Sequence, residues 1–338
     1  MQWTLALCLL LIVPLLAGCM VQQPKDDPAG AGSDPDSPSL SPAGGAPSRS
    51  ATTAPRPSGS GRGDDGPPAG AAGEGNASLG NGSGQPRVWA DIGAASIRPG
   101  VQVFADGSQC TSNFIFTSPD NATAYLGFAA HCVTKNDPNN ADDGCDPSSE
   151  PLAIGTPVEV EGADHPATLA YTSWGSMQSR GGADDQECLY NDFAFAALEP
   201  RDAAKANPAM LFFGGPTALA DPGDVGTLDK VLTYGDSGLR AGIAALSPHE
   251  GYVIFTPGNG GWTSEVYTAP QGIPGDSGSG VLLGGDGSAL GVLVTISYAG
   301  GSNGVTTLSN AMAYAGESGV PVRLATAPLL DSGILPGL

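Results

Sequence analysis

The chain has 338 residues, of which 40% are apolar, enough for a sizeable core and for one or two ordinary domains. Lys+Arg 13 against Asp+Glu 34 gives a formal net charge of -21, which repels phosphate backbones and excludes nucleic acid as a partner. Such an acidic surface suits a solubilised extracellular protein, and a monomer is expected.

In chain order, the first feature is an apolar run from Leu5 to Leu16, too short to span a bilayer and of the length of a signal-peptide core. It contains Cys8 and ends in Leu16-Ala17-Gly18-Cys19, which resembles the lipobox of bacterial lipoproteins. That resemblance implies cleavage after residue 18, a lipid on Cys19 and attachment to the outer face of the bacterial cell membrane. Met1 to Thr4 hold no Lys or Arg where such signals begin with basic residues, so an ordinary secretory signal is the alternative. Either reading takes the chain out of the cytoplasm, and membrane contact is expected only through the N-terminal lipid.

From Met20 to about Pro86 the sequence is rich in Pro, Gly, Ala, Ser and Asp and has no aromatic residue. It cannot bury enough apolar surface to offset the entropy of ordering it, so residues 19–87 are read as a disordered tether. As a flexible coil it would span about 45 Å.

Order is expected from about Val88. Strand-like runs recur at Val101–Phe104, Asn113–Thr117, Ala124–Phe128, Pro157–Glu161, Ala167–Tyr171 and Phe193–Leu198, then at Val231–Tyr234, Tyr252–Thr256, Thr263–Tyr267, Gly280–Leu283 and Leu290–Ile296. Gly, Pro, Asn and Asp clusters separate them, which indicates an all-β barrel or sandwich. Only Asp202–Ala206 and Leu308–Ala315 read as helices. The domain is expected over residues 88–315, as two β halves at about 95–205 and 225–315, with 316–338 as a C-terminal tail.

Apart from Cys8 and Cys19 four cysteines remain: Cys110, Cys132, Cys145 and Cys188, an even number in an oxidising compartment. Three pairings can be drawn, and Cys110 with Cys132 and Cys145 with Cys188 is the expected one. No CxxC and no suitably spaced histidines support zinc. Asp137, Asp142, Asp143 and Asp146 form an oxygen-rich loop, but their spacing matches no EF-hand and they are read as solvated. No metal and no cofactor are expected.

The chemistry centres on Gly275-Asp276-Ser277-Gly278-Ser279-Gly280. A serine in such a turn exposes its hydroxyl while its own N–H and that of Gly275 point to one oxygen site, a nucleophile beside an oxyanion hole. A serine needs a base, and the chain has only His131, His165 and His249. None follows Ser277, which excludes the Ser-Asp-His order of α/β-hydrolases, and Ser279 breaks their G-x-S-x-G elbow. His131 ends the strand-like run Gly127-Phe128-Ala129-Ala130, and a disulfide from Cys132 back to Cys110 would fix the backbone that carries it. Asp192 opens the apolar run Phe193-Ala194-Phe195-Ala196, where an imidazole N–H would satisfy its carboxylate. His165, before Pro166, and His249, in a polar turn, are read as structural.

AAHC at Ala129–Cys132, NDFAFAAL at Asn191–Leu198 and GDSGSG at Gly275–Gly280 occur in the order His, Asp, Ser. They resemble the chymotrypsin-like serine peptidases, most closely the secreted bacterial branch, and Gln109–Phe114 is similar to the strand that precedes the catalytic histidine there. The resemblance covers about Val88 to Ala315 and implies two six-stranded antiparallel β-barrels with the active site in the cleft between them. It implies a serine endopeptidase acting on proteins or peptides, with Ser277 as nucleophile, His131 as general base and then acid, Asp192 holding the imidazole tautomer, and the N–H groups of Gly275 and Ser277 as the oxyanion hole. The serine motif departs from the animal GDSGGP after the nucleophile, and no activation sequence of the Arg then Ile-Val-Gly-Gly type is present. Bacterial relatives pair the aspartate before the serine with an internal arginine, for which Arg240 is the candidate. Gln271 stands where the family places the floor of the primary pocket, so an uncharged residue is expected at the cleaved position rather than Arg or Lys. Thr295, Ile296 and Ser297 are expected to offer the edge on which substrate adds as a strand. The alternative is a catalytically silent trypsin-like fold that binds at the cell surface, a role that has no need of all three residues.

Overall fold

Valine, isoleucine, threonine and aromatic residues cluster in runs of three to nine residues between turn formers, and these runs become the walls of two antiparallel β units. The computed structural model describes residues 87–135, 143–257, 261–297 and 299–330, with the backbone of Met20–Val21. Residues 1–18, Cys19, the tether over residues 22–86, Asp137, Asp142 and the end of the tail at residues 331–338 lie outside the described residues.

A two-residue strand β1 (Met20–Val21) precedes the domain. The first unit is built from β2 (Gln102–Ala105), β3 (Ser108–Thr111), β4 (Ile115–Thr117), β5 (Ala124–Phe128), β6 (Pro157–Val160), β7 (Ala167–Thr172) and β8 (Ala194–Ala197). The second contains β9 (Lys230–Tyr234), β10 (Pro248–Phe255), β11 (Thr263–Ala269), β12 (Gly280–Leu283), β13 (Ala289–Ser297) and β14 (Ser302–Thr307); a last short strand, β15 (Arg323–Leu324), returns to the first unit.

The second unit closes. Its order is β13-β12-β9-β10-β11-β14, and β14 pairs back onto β13, completing a six-stranded antiparallel barrel; β1 adds in parallel to Thr295 and Ile296. The barrel interior is filled by small branched side chains, among them Val231, Val253, Val266, Val281, Leu293 and Val305. In β10 and β11 buried and exposed residues alternate, so Tyr252 and Tyr267, cross-strand partners, stand on the outside.

The first unit does not close, and this corrects the expectation of two six-stranded barrels. It is an open eight-stranded sheet in the order β15-β4-β5-β8-β7-β6-β2-β3. β3 and β4 do not pair with each other: after Thr111, whose N–H donates to Ser277 O across the units at 2.8 Å, the chain passes from β2 to β5, with Ser112 N–H donating to Val101 O at 2.9 Å and Asn113 N–H to Gly127 O at 2.8 Å. The outer edge of β4 is covered by β15, with Arg323 opposite Thr117. The candidate residues His131 and Asp192 therefore belong to an open sheet, and Ser277 to a barrel. The sheet buries a cluster of aromatics, with Phe116 and Phe193 edge to face at 5.5 Å and Tyr171 stacked on Phe195 at 5.1 Å.

Two helices that the sequence reading did not anticipate, α1 (Ser173–Arg180) and α2 (Asp185–Tyr190), connect β7 to β8. The start of α2 is a capping box in which Asp184 accepts from Glu187 N–H and Glu187 accepts from Asp184 N–H, a signal legible as Asp-x-x-Glu. Two further helices are α3 (Pro200–Ala203) and α4 (Leu308–Glu317). Residues beyond Gly316, set apart above as a tail, pack on the body as far as Leu330, whose N–H donates to Phe213 O at 2.9 Å.

Candidate active site

The strand β5 runs straight into a short 3-10 turn, Ala130–Val133, that presents His131. This turn is anchored on both sides. Cys132 is bonded to Cys110 of β3, and Thr134 Oγ1 donates to His131 O at 2.9 Å. A second disulfide, Cys145–Cys188, ties the loop after the turn to α2, which delivers Asn191 and Asp192 to the start of β8.

His131 and Asp192 are brought together inside the protein. His131 Nδ1 lies 2.6 Å from Asp192 Oδ2, and the His131 backbone N–H donates to Asp192 Oδ1 at 2.9 Å. An ionised carboxylate only accepts, so the ring proton sits on Nδ1 and Nε2 is the basic nitrogen. Both residues are buried, His131 at 7% and Asp192 at 4% exposure, and a carboxylate so placed requires the two donors it has. The Trp174 ring on α1 lies 6.5 Å from the imidazole, packing an apolar face beside it.

Ser277 comes from the other unit, in the turn between residues 271 and 280. Gly275 has φ +93° and Gly278 φ +90°, conformations that only glycine adopts without strain. At Gly278 the space is closed as well, since a Cβ would sit 2.5 Å from Thr111 O and 2.9 Å from Ala129 N. That contact sets the Ser277 turn against the segment that leads, two residues later, into His131. Thr111 Oγ1 and Gln109 Nε2 both donate to Gly275 O, at 2.8 Å and 3.2 Å, from the strand that carries Cys110. Among the described residues no acceptor takes the Gly275 N–H.

No family model matches, and no curated protein matches. Among solved structures, Thermobifida fusca Protease A is 15% identical over 69% of this chain and 100% of its own, with a TM-score of 0.42. Nocardiopsis Protease is 14% identical over 69% and 100%, TM-score 0.40, and Cellulomonas bogoriensis chymotrypsin 16% over 68% and 98%, TM-score 0.38. Likeness at that level assigns neither family nor activity to this chain.

Below the serine, Asp276 is fully buried. It forms an ion pair with Arg240, which the short turn Gly238–Arg240 brings in from the β9–β10 connection. Asp276 Oδ1 also accepts from Ser237 N–H at 3.0 Å and Oδ2 from Ile273 N–H at 2.9 Å, so one carboxylate pins both sides of the turn. His249, read from sequence as lying in a polar turn, is a fully buried residue of β10 that touches the same arginine. The signal for it was available in principle: in β10, alternation about the apolar Val253 puts His249 on the inward face.

Gln271 reaches the open ends of β13 and β14, where its Nε2 donates to Ser297 O at 3.3 Å and Ser302 O at 3.2 Å. Gln271 and Ser297 are thus neighbours. Thr295 is held differently: its Oγ1 accepts from Gly304 N–H at 3.1 Å and its carbonyl from Asn303 Nδ2 at 3.0 Å, while Ile296 is buried. The remaining histidine, His165, is half-exposed and bonds to Asp202 at 3.0 Å, away from Ser277 in the fold's first unit.

Proposed function

We propose that the chain is an extracytoplasmic serine endopeptidase that hydrolyses peptide bonds through an acyl-enzyme. The observation that carries this reading is the buried His131–Asp192 pair at 2.6 Å, which leaves Nε2 as the basic nitrogen of the ring; the close approach of the GDSG-type turn at Gly278 to Ala129, two residues before His131, supports it. Ser277 Oγ attacks the scissile carbonyl carbon while Nε2 takes its proton, and the oxyanion that forms is met by the N–H groups of Gly275 and Ser277. Collapse breaks the C–N bond, and the leaving amine takes the proton back from Nε2. Water then gives a proton to Nε2 and attacks the ester, and Ser277 recovers its proton as the acid leaves. Asp192 keeps the imidazolium formed in each half-reaction in place and compensates its charge. A leader ending at residue 18, a lipid on Cys19 and a monomer on the outer face of the bacterial membrane complete the proposal.

A fluorophosphonate probe tests it. The wild type should be labelled when folded, Ser277→Ala should not, and His131→Ala should lose nearly all labelling. A folded wild type that takes no probe sinks the peptidase reading and leaves the catalytically silent binding module.

A further inference from the structure

Under the Ser277 turn lies a buried polar triangle, Arg240, Asp276 and His249, of which the steps above make no use. Asp276 and His249 are fully buried and Arg240 nearly so, at 7% exposure. Arg240 Nη2 holds Asp276 Oδ2, Nε lies 3.4 Å from Asp276 Oδ1, and the same Nη2 lies 3.0 Å from His249 Nε2. A guanidinium has donors only, so His249 Nε2 must be the acceptor and carries no proton. The ring proton is then on Nδ1, which is buried and has no hydrogen-bond partner among the described residues. At 3.9 Å from Asp276 Oδ2, Nε2 is too far for a bond to the carboxylate, and two lone-pair atoms would not attract. The contact of His249 with this group is therefore through the arginine alone.

The chain of contacts continues upward. Asp276 fixes Ile273 N–H and Ser237 N–H, and Ser237 Oγ donates to Pro274 O, one residue before Gly275. Building on the peptidase reading, we propose that His249 is a positioning residue for the oxyanion turn: by accepting from Arg240 it fixes the guanidinium on Asp276, and through Asp276 it sets the direction of the Gly275 and Ser277 N–H groups. Removal of the ring would leave one guanidinium hydrogen with only the longer contact to Gln271 O, at 3.4 Å, and the arginine able to swing off the carboxylate.

The charged groups facing His249 are Asp276, from the turn before β12, and Arg240, from the β9–β10 connection. Burial first, then Arg240, push the imidazole down to about 4, against the pull of Asp276 and the Leu246 carbonyl. The unfolded ring, near the usual ~6.5, binds a proton that the folded one refuses, so this contribution to stability is complete above about pH 6.5. It is lost as the pH falls toward about 4, where the folded ring gains a proton and ceases to accept from Arg240.

The test uses the full chain, with fluorophosphonate labelling at saturating and half-saturating probe, for wild type, His249→Ala and His249→Gln. A glutamine can accept from Arg240 as the ring does. At saturating probe His249→Ala should react about 10- to 100-fold more slowly, the scale of a misplaced oxyanion donor, with its half-saturating concentration little changed. His249→Gln should recover most of that loss, which a merely space-filling role would not produce. If the wild type labels and a folded His249→Ala matches it, or His249→Gln stays as slow as His249→Ala, the inference is overturned and the peptidase reading stands. A wild type that takes no probe overturns both. Should the alanine variant fail to fold, ¹⁵N NMR of the wild-type ring decides: Nδ1–H at pH 7 with titration well below ~6.5 is expected, and a proton on Nε2 or an ordinary titration overturns the inference.

Discussion

Gly278→Ala is the most informative single perturbation, because it adds one methyl at the point where the two units meet. Gly278 sits at φ +90°, where an L-residue is strained by about 1–2 kcal/mol. Its new Cβ would lie 2.5 Å from Thr111 O and 2.9 Å from Ala129 N, both backbone atoms that cannot rotate away. Overpacking of that kind costs about 1–3 kcal/mol, so a total loss of about 2–5 kcal/mol is expected. At about 2–4 °C per kcal/mol for a domain of this size, the unfolding temperature should fall by about 4–20 °C in a calorimetric scan. Function should suffer more than stability. Thr111 N–H is bonded to Ser277 O at 2.8 Å, so relief of the clash must move the serine relative to His131, and a displacement of about 1 Å costs about 100-fold in rate. Fluorophosphonate labelling well below the unfolding temperature reads that loss. Gly285→Ala is the control, since a Cβ there meets nothing within 4 Å, and it should be neutral or stabilising by up to about 1 kcal/mol. A Gly278→Ala protein that unfolds within about 1 °C of the wild type and labels at the same rate would refute the close approach of the two units at this turn.

Two further outcomes follow from other sites. Asp202 is fully buried and accepts from Asp164 N–H at 2.9 Å, His165 N–H at 3.0 Å and Lys205 Nζ at 2.8 Å; burial alone would raise its carboxyl, but these donors hold it below the usual carboxylate range. Asp202→Asn should cost about 2–3 kcal/mol at pH 7, less than a fully buried pair because Lys205 and His165 are partly exposed, and the difference from wild type in urea titrations should shrink as the pH falls below about 4. In peptide-library profiling, cleavage after Arg or Lys should not dominate: both amide N–H contacts of Gln271 go to the carbonyls of Ser297 and Ser302, and a neutral amide supplies no counter-charge for a cation. A dominant basic signal there would show that another group forms the floor of the pocket.

Much of the candidate site is local, and local features are legible. A serine flanked by glycines, a histidine beside a cysteine after an apolar run, and an aspartate at the mouth of another are each set within six residues or so, and turn chemistry marks the strands between them. β5 and β12 lie where their apolar runs predict them. One strand of the barrel escaped. β14 reads SNGVTT, a polar sequence whose side chains are mostly buried, because their polar atoms find partners across the fold. Asn303, for example, is fully buried and bonds to Gly272 and Thr295.

Closure of a sheet is a different kind of fact. The first and second units have similar strand patterns, and nothing in the residues of β3 and β4 announces that they will not pair. That depends on where Thr111 N–H goes, and its acceptor, Ser277 O, is more than 150 positions away. His249 is a second case. Its neighbours Pro248 and Glu250 read as a turn, while three-dimensional contact with Arg240 and Asp276 makes it an uncharged acceptor in the interior. By itself the sequence determined the residue types, the strand-rich class and the order His131, Asp192, Ser277, since these rest on local propensity and spacing. Only the tertiary structure decided that one unit closes and the other stays open, and what holds the GDSGSG turn from beneath, because long-range hydrogen bonds choose among partners that no local pattern distinguishes.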